Sequence, residues 1–309
     1  MRVVEDLRNS VFGLVQRNPD TMIIGEDLLD PYGGAFKVTK GLSDAFPKNV
    51  ITTPISEAGL VGVGLGMALR GKTVVAEIMF GDFLTLTMDQ LVNHAAKVKW
   101  MFNDAVDANL IVRTPMGGGR GYGPTHSQSI EKHFCGVPGL TVLAVNQFSS
   151  PGKLLEKAVS IGSPVLFIEN KIMYSKLVEP ERLITYDKPD GIILTYGGVS
   201  EMCVKAAERL LEDEEITIEV VPIESLSPLP IELIQNVTAK SDRIFTVEEG
   251  TESWGFGAAC AEHILSAGIT PKHFISIAAD PIAIPSARNW ELQILPNVGR
   301  IERQILETF

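Results

Sequence analysis

The sequence has few cysteines and no excess of positive charge. It contains 3 cysteines in 309 residues, and Cys135, Cys203 and Cys260 are far apart, so neither a disulfide framework nor a CxxC metal site is indicated. Its net charge of −11 argues against a nucleic-acid partner, which usually requires a basic surface. No apolar run reaches the roughly 18–20 residues that span a bilayer, and the segment after Met1 lacks the layout of a secretory signal. We therefore expect a cytoplasmic protein that binds neither membrane nor nucleic acid.

Several motifs that would define a nucleotide or hydrolase site are also absent. The third position after Gly64 is Met67, so there is no dinucleotide-binding GxGxxG. The glycine-rich run Gly118–Gly121 lacks the lysine of a phosphate-binding Walker loop. No GxSxG nucleophile elbow occurs, and no HExxH or carboxylate cluster has the spacing of metal ligands. We therefore expect no metal site within this chain.

Apolar strand-like runs alternate with amphipathic helical segments along the whole sequence. This alternation predicts an α/β protein whose parallel sheets are covered by helices on both faces. A length of 309 residues accommodates two domains of about 100–200 residues each. A polar, proline-containing stretch at residues 175–189 has the composition of a linker. We predict two doubly wound domains, residues 1–186 and 187–309.

Four candidate site groups follow predicted strands of the first domain. They are Glu26, Glu57, Phe83 and a glycine-rich loop that contains His126. Ligands of open parallel sheets bind outside the carboxyl ends of the strands, so these groups are expected to lie at one edge. A lone histidine is more often structural than catalytic, but glycines allow a loop such as this one to lie close to a ligand.

Glu57 is open to two interpretations. At the start of a helix, it is favoured as an anion by the helix dipole, which lowers its pKa. A catalytic carboxylate needs the opposite shift, which desolvation by an apolar wall of Phe83 or Phe80 would supply. The helix that follows carries Gly59, Gly62 and Gly66 on one face. That face serves either close packing within the chain or a subunit interface.

A series of short motifs occurs in order along nearly the whole chain. The motifs are Gly25-Glu26-Asp27, Gly33 to Leu42, Thr53 to Glu57, Asp89 to Lys97, His126-Ser127-Gln128-Ser129, Pro138-Gly139-Leu140, Thr195-Tyr196-Gly197, Val247-Glu248-Glu249-Gly250 and Asp280-Pro281. This ordered series resembles one known family, the beta subunits of thiamine-diphosphate-dependent 2-oxoacid dehydrogenases, including those of pyruvate, branched-chain 2-oxoacid and acetoin dehydrogenases.

The resemblance implies a pyrimidine-binding domain followed by a transketolase-type C-terminal domain. It also implies roles for the four candidate residues. Glu57 would hydrogen-bond the aminopyrimidine ring of thiamine diphosphate and favour the tautomer that removes the thiazolium C2 proton. Phe83 would stack on that ring, and Glu26 would join a buried network of carboxylates and water. His126 would face the bound intermediate, donating a proton or orienting a lipoyl acceptor.

The resemblance further implies an incomplete site and a partner. In this family a GDG motif holds diphosphate and Mg²⁺ on an alpha subunit, within an α2β2 heterotetramer. Here Gly81-Asp82 is followed by Phe83, so the motif is missing and the alpha subunit is expected to hold the metal. The potassium-binding aspartate of some members is replaced within Ser160-Ile161-Gly162-Ser163, so no metal is expected by that route either.

The leading hypothesis is oxidative decarboxylation of a 2-oxoacid with acyl transfer to a lipoyl-bearing acyltransferase. The alternatives are the C-terminal half of a split transketolase, an acetoin-cleaving enzyme, or a non-catalytic relative. The stretch from Tyr174 to Gly191 is shorter than usual, and Met101–Asp107 replace a commonly glycine-containing turn. Together with the replaced aspartate, these departures argue against membership in a housekeeping pyruvate complex. The sequence does not specify the 2-oxoacid.

Overall fold

A computed structural model describes residues 1–309, which form two sheets with helices on their faces. The strands are β1 Thr21–Gly25, β2 Val50–Thr52, β3 Thr73–Glu77, β4 Leu110–Met116, β5 Thr141–Ala144, β6 Val165–Asn170, β7 Gly191–Thr195, β8 Ile218–Pro222, β9 Ser225–Ser227, β10 Arg243–Thr251 and β11 His273–Ala279. The helices are α1 Val3–Arg17, α2 Leu42–Ala45, α3 Glu57–Leu69, α4 Ala96–Met101, α5 Pro151–Ser160, α6 Ser200–Glu214, α7 Ile231–Thr238, α8 Phe256–Ser266, α9 Arg288–Ile294 and α10 Val298–Leu306. None of these helices combines the length and hydrophobicity needed to cross a membrane.

The two sheets confirm the predicted α/β class. The first has the order β2-β1-β3-β4-β6-β5-β9, and the second has the order β11-β10-β7-β8. All strand pairs are parallel except β5 with β9. Strand β9 comes from the second half of the chain and forms one edge of the first sheet. The central strands are buried along their whole length, as expected when helices cover both faces.

Local sequence explains where several helices begin. Ser56 precedes α3 and its hydroxyl oxygen accepts a hydrogen bond from the backbone N–H of Gly59 at 3.3 Å. Ser150 caps α5 in the same way through Lys153, at 3.1 Å, with Pro151 in the first turn. These side chains satisfy backbone donors that a helix start leaves without partners.

The largest of four hydrophobic clusters is shared by the two halves of the chain. It contains 35 buried residues and includes Val112 from the first sheet and Ile192 and Ile244 from the second. The stretch expected to be a linker is also held in place. Val3 donates its backbone N–H to Lys176 at 2.9 Å, and Val178 donates to Met1 at 3.0 Å. The first part of this stretch is therefore bonded to the N-terminal segment and does not form a free connection.

The segment Leu84–Trp100, whose spacing predicts a single α-helix, is divided into three parts. Residues 81–87 form 3₁₀ turns, residues 89–95 form a π-helical segment, and only α4 is regular. Thr85 and Thr87 donate their hydroxyl protons to the carbonyl oxygens of Asp82 and Leu84, at 3.0 and 2.8 Å. Such side-chain bonds compete with the regular helical pattern, which explains the difference.

A buried ion cluster joins the three central strands of the first sheet. Arg113 on β4 is 1% exposed and forms two hydrogen bonds of 2.7 Å with Glu169 on β6. Its remaining amino group contacts Glu77 on β3, and the Tyr174 hydroxyl donates to Glu169 at 2.6 Å. Burial raises the pKa of Glu77, and the Arg113 charge opposes that effect. One guanidinium thus compensates two carboxylates in the core.

We predict that Arg113→Met strongly destabilises the protein, because it leaves Glu77 and Glu169 buried without a counter-charge. Breaking a buried ion pair in this way costs about 3–5 kcal/mol. Urea unfolding followed by circular dichroism measures the change. Lys72→Met, which removes the exposed Lys72–Asp20 pair, is the matched control and is expected to cost less than about 1 kcal/mol. Equal effects of the two substitutions would contradict the assignment.

Candidate active site

The carboxyl edge of the first sheet gathers the residues that the sequence singles out. Glu26 directly follows β1, and Glu57 begins α3 shortly after β2. Phe83 lies in the 3₁₀ turns after β3, and His126 lies in the glycine-rich loop after β4. Because the strands are parallel, these connections all leave the same edge, as predicted.

Glu26 and Glu57 form a pair of buried acids, each 6% exposed. Burial and the nearby negative charge of Glu57 raise the pKa of Glu26, while a hydrogen bond from the Ser56 backbone lowers it. The Glu26 Oε1 atom has no hydrogen-bond partner within the chain. A buried carboxyl group with spare bonding capacity beside a second one is suited to hold or exchange a proton.

A cluster of aromatic rings lies at the same edge and includes His126. Its imidazole packs edge-to-face against Phe80 and Phe83, with ring centroids 5.0 and 5.2 Å apart. The two phenylalanines also contact each other, at 6.0 Å. The segment that carries Phe83 packs against α3, whose first residue is Glu57. Phe80 and Phe83, the two residues expected to form an apolar wall beside Glu57, therefore belong to one aromatic cluster.

Lys171 is a site residue that the sequence interpretation missed. It follows β6, its side chain is completely buried, and its Nζ donates a hydrogen bond to the backbone carbonyl of His126. The ammonium group also lies 5.3 Å from the centre of the Phe80 ring and 5.8 Å from that of Tyr122. Desolvation lowers the pKa of Lys171, and Asp82 is the strongest opposing charge. No local pattern around Lys171 distinguishes it from a surface lysine.

The glycine-rich loop is held by carboxylates from the second half of the chain. Glu249, near the end of β10, accepts a hydrogen bond from the backbone N–H of Gly118. Glu291 on α9 is fully buried and accepts one from Gly121 at 2.6 Å. A Cβ at Gly118 would lie only 2.7 Å from Leu295, so a larger residue does not fit there. Burial raises the pKa of Glu249.

Asp82 is bonded to the C-terminal end of the glycine-rich loop, at Gln128. One carboxylate oxygen accepts hydrogen bonds from the backbone and side-chain nitrogens of Gln128, at 3.2 and 2.9 Å. The other oxygen of Asp82, Oδ2, is buried and has no hydrogen-bond partner within the chain. No group of three or more histidine, cysteine, aspartate or glutamate side chains is arranged to hold a metal ion.

These features fit the ring end of an aromatic cofactor. The buried acids offer hydrogen-bonding groups, and the aromatic cluster offers an apolar surface with a histidine beside it. The fold and this site define a class of transketolase-like proteins. The family description "Transketolase, pyrimidine binding domain" matches residues 5–176, and "Transketolase, C-terminal domain" matches residues 182–290.

Three relatives identify the family more closely. The chain is 30% identical to the pyruvate dehydrogenase E1 component subunit beta of Rhizobium meliloti (strain 1021), covering 97% of this chain and 68% of the relative. It is 32% identical to the mitochondrial subunit beta-1 of Arabidopsis thaliana, covering 98% and 88%. It is 30% identical to the 2-oxoisovalerate dehydrogenase subunit beta of Bacillus subtilis (strain 168), covering 95% and 94%. The chain belongs to this family of 2-oxoacid dehydrogenase beta subunits.

The predicted family and enzyme class are therefore confirmed. A solved structure described as "Split gene transketolase, inactive beta4 tetramer" superimposes with a TM-score of 0.79 over 99% of this chain and 98% of that one. Its sequence identity is 21%, so the similarity shows the fold alone. The roles of Glu26, Glu57, Phe83 and His126 stay predictions.

We predict that Lys171→Met loosens the loop that carries His126. Loss of a hydrogen bond from a charged donor costs about 1.5–3 kcal/mol, so amide hydrogen exchange over residues 117–128 should accelerate at least about tenfold. Mass spectrometry of the exchanged protein measures it. Lys153→Met changes an exposed lysine on α5 and is expected to leave that exchange unaltered. An unchanged loop in Lys171→Met would refute the role.

Proposed function

We propose that this chain is the beta subunit of an α2β2 enzyme that oxidatively decarboxylates a 2-oxoacid using thiamine diphosphate. The observation that carries the proposal is the buried Glu26–Glu57 pair at the sheet edge, beside the aromatic cluster. Family membership supports the reaction class. The acyl group would pass to a lipoyl-bearing acyltransferase, and the cytoplasm is the expected location, consistent with three free cysteines.

When bound, thiamine diphosphate supplies the electron sink that decarboxylation of a 2-oxoacid requires. Glu57 would hydrogen-bond a ring nitrogen and keep a proton mobile at that atom. Glu26 would hold a proton or water next to Glu57, since its raised pKa makes the protonated form more accessible. Phe83 would present an apolar face to the ring and exclude water. His126 would orient the substrate or donate a proton to it.

We further propose that this chain holds only half of the cofactor site. Phe83 follows Gly81-Asp82 where the diphosphate-binding motif has a second glycine, and no group of three or more candidate ligand side chains is arranged to hold a metal ion. Diphosphate and Mg²⁺ would then be held by an alpha subunit. Within the chain, we place the boundary between the pyrimidine-binding and C-terminal domains after residue 186.

The exposed face of α3 supports a subunit interface with the alpha subunit or a second beta subunit. Gly64 packs inside the chain, because a Cβ atom added there would lie 3.2 Å from the Leu110 side chain. A Cβ atom added at Gly66 would have no other atom within 4 Å. Val63 is 55% exposed, and Ile55 just before the helix is 83% exposed. An apolar face this open is typical of a surface that another chain covers.

We predict that Glu57→Gln, purified with its alpha partner, lowers turnover by about 10²–10⁴-fold, the contribution expected of a positioned proton-transfer group. The assay measures release of labelled carbon dioxide from a panel of 1-labelled 2-oxoacids. Such release also separates this reaction from ketol transfer by a split transketolase. Glu212→Gln, an exposed change on α6, is the control. Near-normal turnover in a correctly assembled Glu57→Gln enzyme would disprove the role of Glu57.

We also predict that the isolated chain binds magnesium thiamine diphosphate only weakly, because its diphosphate half-site is missing. Isothermal titration calorimetry compares the chain alone with the co-purified complex, with and without Mg²⁺. Tight, magnesium-dependent binding to the isolated chain would contradict the half-site proposal while leaving the Glu57 prediction intact.

A further inference from the structure

The turn that carries His126 places two polar side chains next to each other. The backbone N–H of His126 donates to the carbonyl oxygen of Gly123 at 3.2 Å, which closes a turn over residues 123–126. Gly123 has a left-handed φ of 80°, and a Cβ atom added there would lie 2.6 Å from the Ser286 hydroxyl oxygen. Within this turn, the hydroxyl oxygen of Thr125 lies 3.0 Å from Nδ1 of the His126 imidazole. A hydroxyl group is therefore held at hydrogen-bonding distance from one ring nitrogen.

Other contacts restrict the imidazole ring around this bond. The ring packs edge-to-face against Phe80 and Phe83, with interplanar angles of 76° and 83°. Lys171 donates to the backbone carbonyl of the same histidine, which holds the main chain behind the ring. With Nδ1 bonded to Thr125, the second ring nitrogen, Nε2, is the polar atom that remains for a bound molecule.

The chemistry of the two groups assigns the direction of the hydrogen bond between Thr125 and His126. In a neutral imidazole, one ring nitrogen carries a proton and the other accepts a hydrogen bond. The Thr125 hydroxyl has no other partner within the chain, so its proton is available to Nδ1. Nδ1 then accepts, and the proton of the ring is on Nε2.

We propose that Thr125 is a positioning residue that holds neutral His126 in the tautomer with its proton on Nε2. His126 then acts on the substrate as a hydrogen-bond donor through Nε2–H, and not as a base. This role rests on the proposed function, in which His126 faces the substrate. A donor fixed in place before the reaction stabilises an oxygen that gains negative charge in the transition state. The 2-oxo oxygen of the substrate is such an atom, because a nucleophile adds to the carbon that carries it.

The hydrogen bond itself is tested on the full chain, without any measurement of turnover. The 5 histidines are labelled with ¹⁵N, and long-range proton–nitrogen spectra at mildly alkaline pH report which ring nitrogen is protonated. Comparison with His126→Gln assigns the His126 signals. We expect the proton on Nε2, with the Nδ1 signal shifted downfield in Thr125→Val and restored in Thr125→Ser. Thr270→Val, at an exposed threonine between α8 and β11, should leave the signals unchanged.

The effect on the reaction is measured with the chain purified with its alpha partner. Thr125 is exposed, so valine removes the hydroxyl without disturbing buried packing. We expect kcat to fall about three- to tenfold in Thr125→Val, the loss of one ordinary hydrogen bond, with little change in KM. Thr125→Ser should restore kcat to within about twofold, and Thr270→Val should retain it. Amide hydrogen exchange over residues 117–128 should be the same in Thr125→Val as in the unaltered chain, which separates loss of the hydroxyl from loosening of the loop.

Four results would overturn the proposal. They are a proton on Nδ1 in the unaltered chain, an unchanged Nδ1 signal in Thr125→Val, failure of Thr125→Ser to restore the signal, and an effect of Thr125→Val on KM alone. The first three concern only the Thr125–His126 bond. They are therefore distinct from failure of the proposed function, which the Glu57→Gln assay detects.

Discussion

The buried guanidinium of Arg113 fixes the geometry on which the first site depends. It lies between carboxylates from the strands on either side, so β3, β4 and β6 are joined by side chains as well as by backbone bonds. Taking three charges out of water is expensive, and the bidentate contact with Glu169 is the arrangement that best offsets the cost. The connections that leave these three strands carry the aromatic cluster, the glycine-rich loop and Lys171.

A series of aromatic contacts connects this ion cluster to His126 in the candidate site. The Tyr174 hydroxyl bonds Glu169, and its ring stacks on Phe36 with centroids 5.1 Å apart. Phe36 contacts Phe80 at 5.9 Å, and Phe80 contacts His126 at 5.0 Å. The position of the histidine is therefore linked through a continuous series of ring contacts to the charge at the centre of the sheet. Because interiors are densely packed, displacement at one end is felt at the other.

The second half of the chain completes the environment of this loop. Carboxylates of Glu249 and Glu291 accept hydrogen bonds from backbone N–H groups of its glycines. The largest hydrophobic cluster includes residues of both sheets, so the halves are packed together over a broad area. The second half thus supports the glycine-rich loop.

Much of the fold was predictable because hydrophobic period and turn residues are local properties. The alternation of strand-like and helical segments was close enough to the observed elements to place every candidate group at a strand end, as for Glu26 after β1. It failed over Leu84–Trp100, where threonine hydroxyls bond backbone carbonyls and interrupt the helix. It also missed β9, because a three-residue edge strand has too few residues for a periodic pattern. The C-terminal elements from β11 onward were not predicted either.

The sequence by itself determined the α/β class, the family and the set of residues at the sheet edge. A motif or a strand end can be recognised from residues that are neighbours in the sequence. Only the tertiary structure decided which groups support them. Lys171 bonds His126 across 45 residues, and Glu291 bonds Gly121 across 170. Such contacts depend on how distant segments meet in space, which no local pattern of residue types specifies.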